Sequence, residues 1–248
     1  MDRLIYTAMS GAKQILEKQA NNAHNLANAT TTGFRAQLDS FRAVPVVGGG
    51  PLPTRAFVAD ATVGADFTPG PIQNTGRELD VAVQGKGWIA VQLEDGTEAY
   101  TRNGSFKISE NGVLQTQGGI NVLGDAGPIA IPPDVALTVG KDGTVSAITT
   151  VGKPGAATPL GRIKLVNPPE EELVRGDDGL FRLRGGGEAE ADANVAVIGG
   201  ALEGSNVSVV EAMVDMISLA RQFEMHMNLL KNAESNEQKA SQLMSLSG

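Results

Sequence analysis

Glycine, proline and methionine divide this chain before any other pattern is considered. All 12 Pro lie between Pro45 and Pro169, 29 of the 31 Gly lie between Gly33 and Gly204, and all seven Met fall outside that second interval. Gly and Pro punctuate turns and oppose helix, whereas Met favours it. The ends therefore read as helix and the middle as something else. The sequence predicts an α+β fold: long N- and C-terminal coiled-coil helices, an extended linker and a central antiparallel all-β domain. The boundaries are 1–30 for the N-terminal helix, 31–78 for the linker, 79–204 for the β-domain and 205–248 for the C-terminal helix.

In the first segment, apolar residues recur at Ile5, Ala8, Ala12, Ile15 and Leu26, with Met9, Leu16, Ala20 and Ala23 flanking the same stripe. Spacings of three and four put them on one helical face. The opposite face carries Arg3, Thr7, Ser10, Gln14, Asn21, Asn25 and Asn28, mostly uncharged. Asn is a poor helix former, so such a stripe is a cost that hydrogen bonds to a partner can offset; the plainer reading is a solvated polar face. The last segment opens with Ser208-Val209-Val210-Glu211, the capping-box spacing, which makes Ser208 the N-cap. From there Val209, Met213, Met216, Ala220, Phe223, Met227 and Leu230 step by four and three, a coiled-coil period. Val210, Val214, Ile217, Leu219, Met225 and Leu229 lie off that seam, so the apolar surface is too wide for one partner helix. The N-terminal helix and neighbouring copies are the candidate covers.

Between Arg35 and Glu78, Pro and Gly clusters such as Gly48-Gly49-Gly50-Pro51 and Pro69-Gly70-Pro71 predict an extended linker, far longer than an ordinary connection. From Leu79 the texture changes. Leu79–Val83, Trp88–Gln92 and Phe106–Ile108 are strand-like, and Asp95-Gly96, Asn103-Gly104, Asn111-Gly112, Gly118-Gly119 and Asp142-Gly143 are hairpin dipeptides.

Chemistry is hard to place on this chain. A formal charge of -8 and the lack of a basic block argue against nucleic acid, and zero cysteines exclude disulfides and thiolate sites. His24 and His226 both fall in predicted helices, so a Ser-His-Asp site would have to be assembled on a helical seam. Glu170-Glu171-Glu172 and Asp177-Asp178 lack EF-hand spacing, and Gly85-Lys86, Gly140-Lys141 and Gly152-Lys153 are not phosphate loops. The expectation is no catalytic residue, no metal, no cofactor and no small-molecule substrate. Met1–Tyr6 lacks the apolar core of a cleavable signal peptide, and no stretch approaches a membrane span, so export would take another route.

Three ordered stretches carry a family likeness. Asn25-Leu26-Ala27-Asn28-Ala29-Thr30-Thr31-Thr32-Gly33-Phe34-Arg35 resembles the N-terminal signature of bacterial flagellar rod and hook proteins. Leu79–Trp88 followed by Tyr100–Phe106 resembles the opening of their β-domain, and Leu202–Val207 through Glu211, Met213, Met216, Arg221 and Phe223-Glu224 resembles their C-terminal helix. The two chain ends are most similar to the proximal rod branch, with the distal rod branch as the nearest competitor. The resemblance implies a subunit of a hollow helical axial structure, with both termini packed as helices. It implies other rod subunits, further copies of itself and the flagellar export apparatus as partners, and the periplasmic rod of the basal body as its place. The expected assembly interface combines Ile5, Met9, Ile15, Asn25, Leu26, Asn28, Gly33, Phe34 and Arg35 with Val209, Met213, Met216, Phe223, Met227 and Leu230. On this reading Phe34 is an anchor into a neighbour.

Overall fold

Two helices bound the chain in the computed structural model, which describes residues 2–45, 56–149 and 157–246: α1 (Asp2–Ala27) and α2 (Val209–Leu246). They belong to a first unit, Met1–Ala27, Gln37–Ala65 and Ser208–Gly248; the second unit is Asn28–Ala36 with Asp66–Val207. Ser208 caps α2: Glu211 N–H donates to its Oγ at 3.4 Å and Ala212 N–H to its carbonyl at 2.9 Å, satisfying donors the first turn would otherwise leave orphaned.

The structure corrects the expected architecture in three places. The segment after Arg35 is not simply an extended linker: β1 (Gln37–Pro45) and β2 (Ala56–Ala65) form an antiparallel hairpin running from Gln37 opposite Ala65 to Pro45 opposite Ala56, with a bulge between Ser40 and Phe41. Phe41, Val44, Phe57, Val58, Thr62 and Val63 supply the β-favouring residues, while Gly48-Gly49-Gly50-Pro51 falls in the chain between the two strands and Pro69-Gly70-Pro71 beyond the second. The helices are not a two-helix coiled coil either. α1 packs on α2 and also on both strands of the hairpin, so the partner that completes it is a sheet as well as a helix. On α2 the covered stripe is Ala212, Met216, Leu219, Phe223, His226, Leu230 and Ala233, which keeps Met216, Phe223 and Leu230 of the predicted seam but turns away from Val209, Met213, Ala220 and Met227. A helix apolar around most of its circumference gives periodicity no unique phase.

The third correction concerns the middle of the chain, which is several sheets rather than one domain sheet. Among the described residues of the second unit, a nine-stranded antiparallel sheet is centred on Trp88–Gln92, Glu98–Thr101 and Asn121–Gly124. A three-stranded sheet combines Val135–Val139, Thr144–Thr149 and Thr158–Arg162. Val81–Gln84 pairs with Ala196–Gly199, and Ile72–Asn74 with Ala201–Glu203. Side chains from several of these sheets close one core, including Val81, Ile89, Phe106, Leu114, Val122, Leu137, Val145, Ile163 and Val197. Four of the five turn dipeptides make hairpins; Asn103-Gly104 instead runs against Val81, whose N–H donates to the Gly104 carbonyl at 2.9 Å. Phe67, Trp88 and Phe181 form an aromatic trio with centroids 4.6 to 5.9 Å apart.

Candidate assembly surface

At about 100° per residue, α1 presents three separate stripes. The first, Ala8, Ala12 and Ile15 with Asn22 and Leu26, faces α2. Asn22 Nδ2 donates to the Ala212 carbonyl at 2.7 Å, and a Cβ on Gly11 would sit 2.7 Å from Cε1 of His226. Glycine at this position leaves room for that imidazole where it stands between the helices.

The second stripe is the asparagine face, and its hydrogen-bond partners lie within the chain. Asn25 acts as a stand-in peptide group for β1: its Nδ2 donates to the Gln37 carbonyl at 3.0 Å, and Gln37 N–H donates back to its Oδ1 at 2.8 Å. One turn earlier, Asn21 Nδ2 donates to the Asp39 carboxylate. These bonds use both ends of a side-chain amide, which explains why Asn, poor in helices, stands here.

The third stripe is Met9, Lys13, Leu16, Ala20, Ala23 and Ala27, spaced by four and three and exposed throughout. α2 likewise turns an apolar surface outward. Val210 is 72% exposed, Val214 60% and Ile217 57%, with Met213, Met225 and Leu229 also exposed. Of these, Met213 belongs to the predicted seam and the others lie off it, so the exposed apolar surface of α2 extends beyond the seam.

The expected interface residues therefore divide. Met9, Val209, Met213 and Met227 are exposed; Ile15 is buried; Asn25, Leu26, Asn28, Met216, Phe223 and Leu230 are half-buried. The side chain of Ile5 lies outside the described residues. Gly33, Phe34 and Arg35 are held inside the second unit. Gly33 has φ +69°, a Cβ there would lie 2.4 Å from the Arg102 backbone, and its N–H donates to the Glu203 carbonyl at 2.8 Å. The Phe34 ring is buried, with the Arg175 guanidinium 4.6 Å from its centroid.

Arg35 is 1% exposed and reaches Glu203 Oε1 at 2.7 Å, while Arg102 reaches Glu203 Oε2 at 2.9 Å. Gly70 N–H also donates to Oε1 at 2.9 Å. Burial pulls the Arg102 guanidinium below the ordinary arginine value, with Glu203 opposing the shift and Arg35 adding to it. Asn206 then binds the neighbouring chain passages: its Oδ1 accepts from Ala36 N–H at 2.8 Å, and its Nδ2 donates to the Asp66 and Thr68 carbonyls at 2.9 and 3.1 Å. Glu203, Arg102 and Asn206 were absent from the expected site. Their one signal was membership of the stretches carrying the family likeness.

The chain is similar to known proteins along its whole length. Residues 82–147 match the family model described as the flagellar hook protein FlgE/F/G D1 domain, and residues 198–243 match the flagellar basal body rod FlgEFG protein C-terminal model. The flagellar basal-body rod protein FlgF of Escherichia coli (strain K12) is 50% identical over 253 residues, with 100% of each chain covered. Its namesake in Salmonella typhimurium is 49% identical over the same span. The rod protein FlgG of Bacillus subtilis is 29% identical, with 94% of this chain and 96% of that one covered. Half-identity from end to end settles the kinship: the chain belongs to the FlgF family of flagellar basal-body rod proteins.

Proposed function

We propose that this chain is a structural subunit of the proximal part of the flagellar basal-body rod, joined to its neighbours through the outer surface of the first unit. The observation that carries this reading is the uncovered start of α2, where Val210, Met213, Val214 and Ile217 stand in solvent on consecutive turns. A lone chain has no use for such a surface, and a monomeric soluble protein rarely displays one. Covering these four side chains contributes on the order of 5 kcal/mol per contact, enough to drive a repeated association. Contacts of head-to-tail type that do not close generate a helical tube, the shape a torque-transmitting rod requires. Delivery by the flagellar export apparatus and a place in the periplasmic part of the basal body belong to the same reading.

Replacing Val214 and Ile217 together by Asp tests it. Both side chains are more than half exposed, so the isolated chain keeps its helix content and melting temperature, and cells carrying the variant lose rod assembly and swimming. Unimpaired swimming with the double variant rejects the proposal.

A further inference from the structure

The cluster of Arg35, Arg102 and Glu203 inside the second unit is short of one negative charge. The three side chains are 0%, 3% and 1% exposed, and Glu203 is the one carboxylate within ion-pair distance of either guanidinium among the described residues. Arginine keeps its proton in proteins, so the surplus cannot be shed as a buried lysine or histidine sheds it. An unbalanced charge in the interior costs far more than a missing hydrogen bond. Arg102 feels the crowding: burial lowers its guanidinium below the ordinary value and Arg35 lowers it further, against the pull of Glu203.

The shortage falls on Arg35. Besides Glu203 at 2.9 Å, Arg102 reaches the Gly85 carbonyl at 2.6 Å and the Val83 carbonyl at 3.4 Å, which leaves its Nε alone without an acceptor. Arg35 bonds Glu203 Oε1 at 2.7 Å and shares that oxygen with the Gly70 N–H. Its Nε and Nη1 are buried and have no acceptor among the described residues. Arg175 adds a third guanidinium to the same place: its Nη1 donates to the Arg35 carbonyl at 3.0 Å, and burial lowers it with no carboxylate acting in opposition.

We infer that the second unit binds one small inorganic anion of the halide class against the unused N–H groups of Arg35. A water molecule there supplies acceptors and leaves the charge unmatched, whereas a halide supplies both. The Arg35 side chain is wholly buried, so a carboxylate of another molecule cannot reach it, while a monatomic ion is enclosed as the unit folds. The ion is a structural ligand. It completes the fastening of residues 33–36, which Glu203 holds through the Gly33 N–H and Asn206 through the Ala36 N–H, and it takes no part in contacts between copies.

Bromide, a heavy halide close to chloride in size, is the probe. Crystals of the full-length chain grown in sodium bromide and measured at the bromine absorption edge are expected to show an anomalous peak within hydrogen-bond reach of Arg35 Nε or Nη1. Anomalous density confined to the surface overturns the inference and leaves ordered water as the acceptor. In solution, hydrogen exchange of the second unit is followed as sodium chloride replaces sodium gluconate, whose anion is too bulky for an enclosed site, at fixed ionic strength. Above the dissociation constant, each tenfold rise in chloride lowers the unfolding equilibrium constant about tenfold, and with it the exchange rate of the slowest amides. Arg35→Gln removes the surplus charge and abolishes that dependence, while any general salt effect persists. Equal exchange in the two salts overturns the inference, and so does a chloride dependence that Arg35→Gln keeps in full. Should Arg35→Gln fail to fold, the bromide map of the unaltered chain decides.

Discussion

The two units of this chain use polar and apolar groups in opposite ways. In the second unit the apolar side chains of the core are closed off, with Val81, Ile89 and Val122 at 0% exposure, and the most demanding polar groups, Arg35, Arg102 and Glu203, are buried and joined to one another. In the first unit, α2 leaves Val210, Val214 and Ile217 in solvent, while asparagines of α1 bond the hairpin. A buried charge cluster gains nothing from a neighbour and loses heavily when broken; an exposed aliphatic surface is the reverse. One unit closes its apolar groups off from solvent, and the other leaves some of them open to it.

The largest effect is expected where the second unit is most self-contained. Glu203→Ala removes the carboxylate that bridges two buried guanidiniums and also strands Gly70 N–H. The loss is about 3–5 kcal/mol, read as a lower melting temperature and as faster hydrogen exchange throughout the second unit. The first unit keeps its exchange protection. Equal loss in both units breaks the comparison, because the two would then be one cooperative block.

A smaller effect probes the other side. Asn25→Ala deletes both bonds to the Gln37 backbone, leaving a half-buried donor and acceptor on β1. The cost is about 1–3 kcal/mol, confined to exchange of α1 and the hairpin, with the second unit unchanged. Asn25→Asp keeps the acceptor for Gln37 N–H but sets a carboxylate against the Gln37 carbonyl, so it recovers no more than part of the loss. Full stability of Asn25→Ala would mean that the asparagine face is ordinary solvated helix.

What could be read from the sequence follows how far apart the cooperating residues lie. Asp95-Gly96, Asn111-Gly112, Gly118-Gly119 and Asp142-Gly143 act within a few residues, and each marks a real hairpin. Ser208 does the same for the start of α2. The hairpin of β1 and β2 was missed because its proline- and glycine-rich middle outweighs the strand signal at its two ends, and a strand pair is only visible when its partner is known. The covered phase of α2 was missed because Met and Val surround the helix. The Arg35–Glu203–Arg102 cluster joins positions 168 and 101 residues apart, a distance no local pattern spans. The asparagine stripe was legible as a costly feature; its partner, a backbone edge twelve residues on, was not.

The smallest effect concerns an exposed ion pair of the second unit and tests whether its surface, unlike its core, is dispensable. Arg182 reaches Asp178 with one nitrogen at 3.0 Å to Oδ1 and the other at 2.5 Å to Oδ2. The bond from Arg182 holds the Asp178 carboxyl below the ordinary aspartate value of 3.8, with desolvation acting against it and the Leu180 N–H adding to it. A carboxylate whose folded value is depressed contributes stability above its unfolded value and loses it as pH falls through the folded one. The contribution is therefore whole at pH 7 and fades only below about pH 4. Both side chains are more than a third exposed, so solvent screening limits it to about 0.2–1 kcal/mol. Asp178→Asn should lower stability by that small amount at neutral pH and by progressively less as the solution is acidified below about pH 4, flattening the acid limb of the unfolding curve, and added salt should shrink the difference. A loss as large as that of Glu203→Ala, or one insensitive to acid, would place Asp178 among the groups that hold the second unit together.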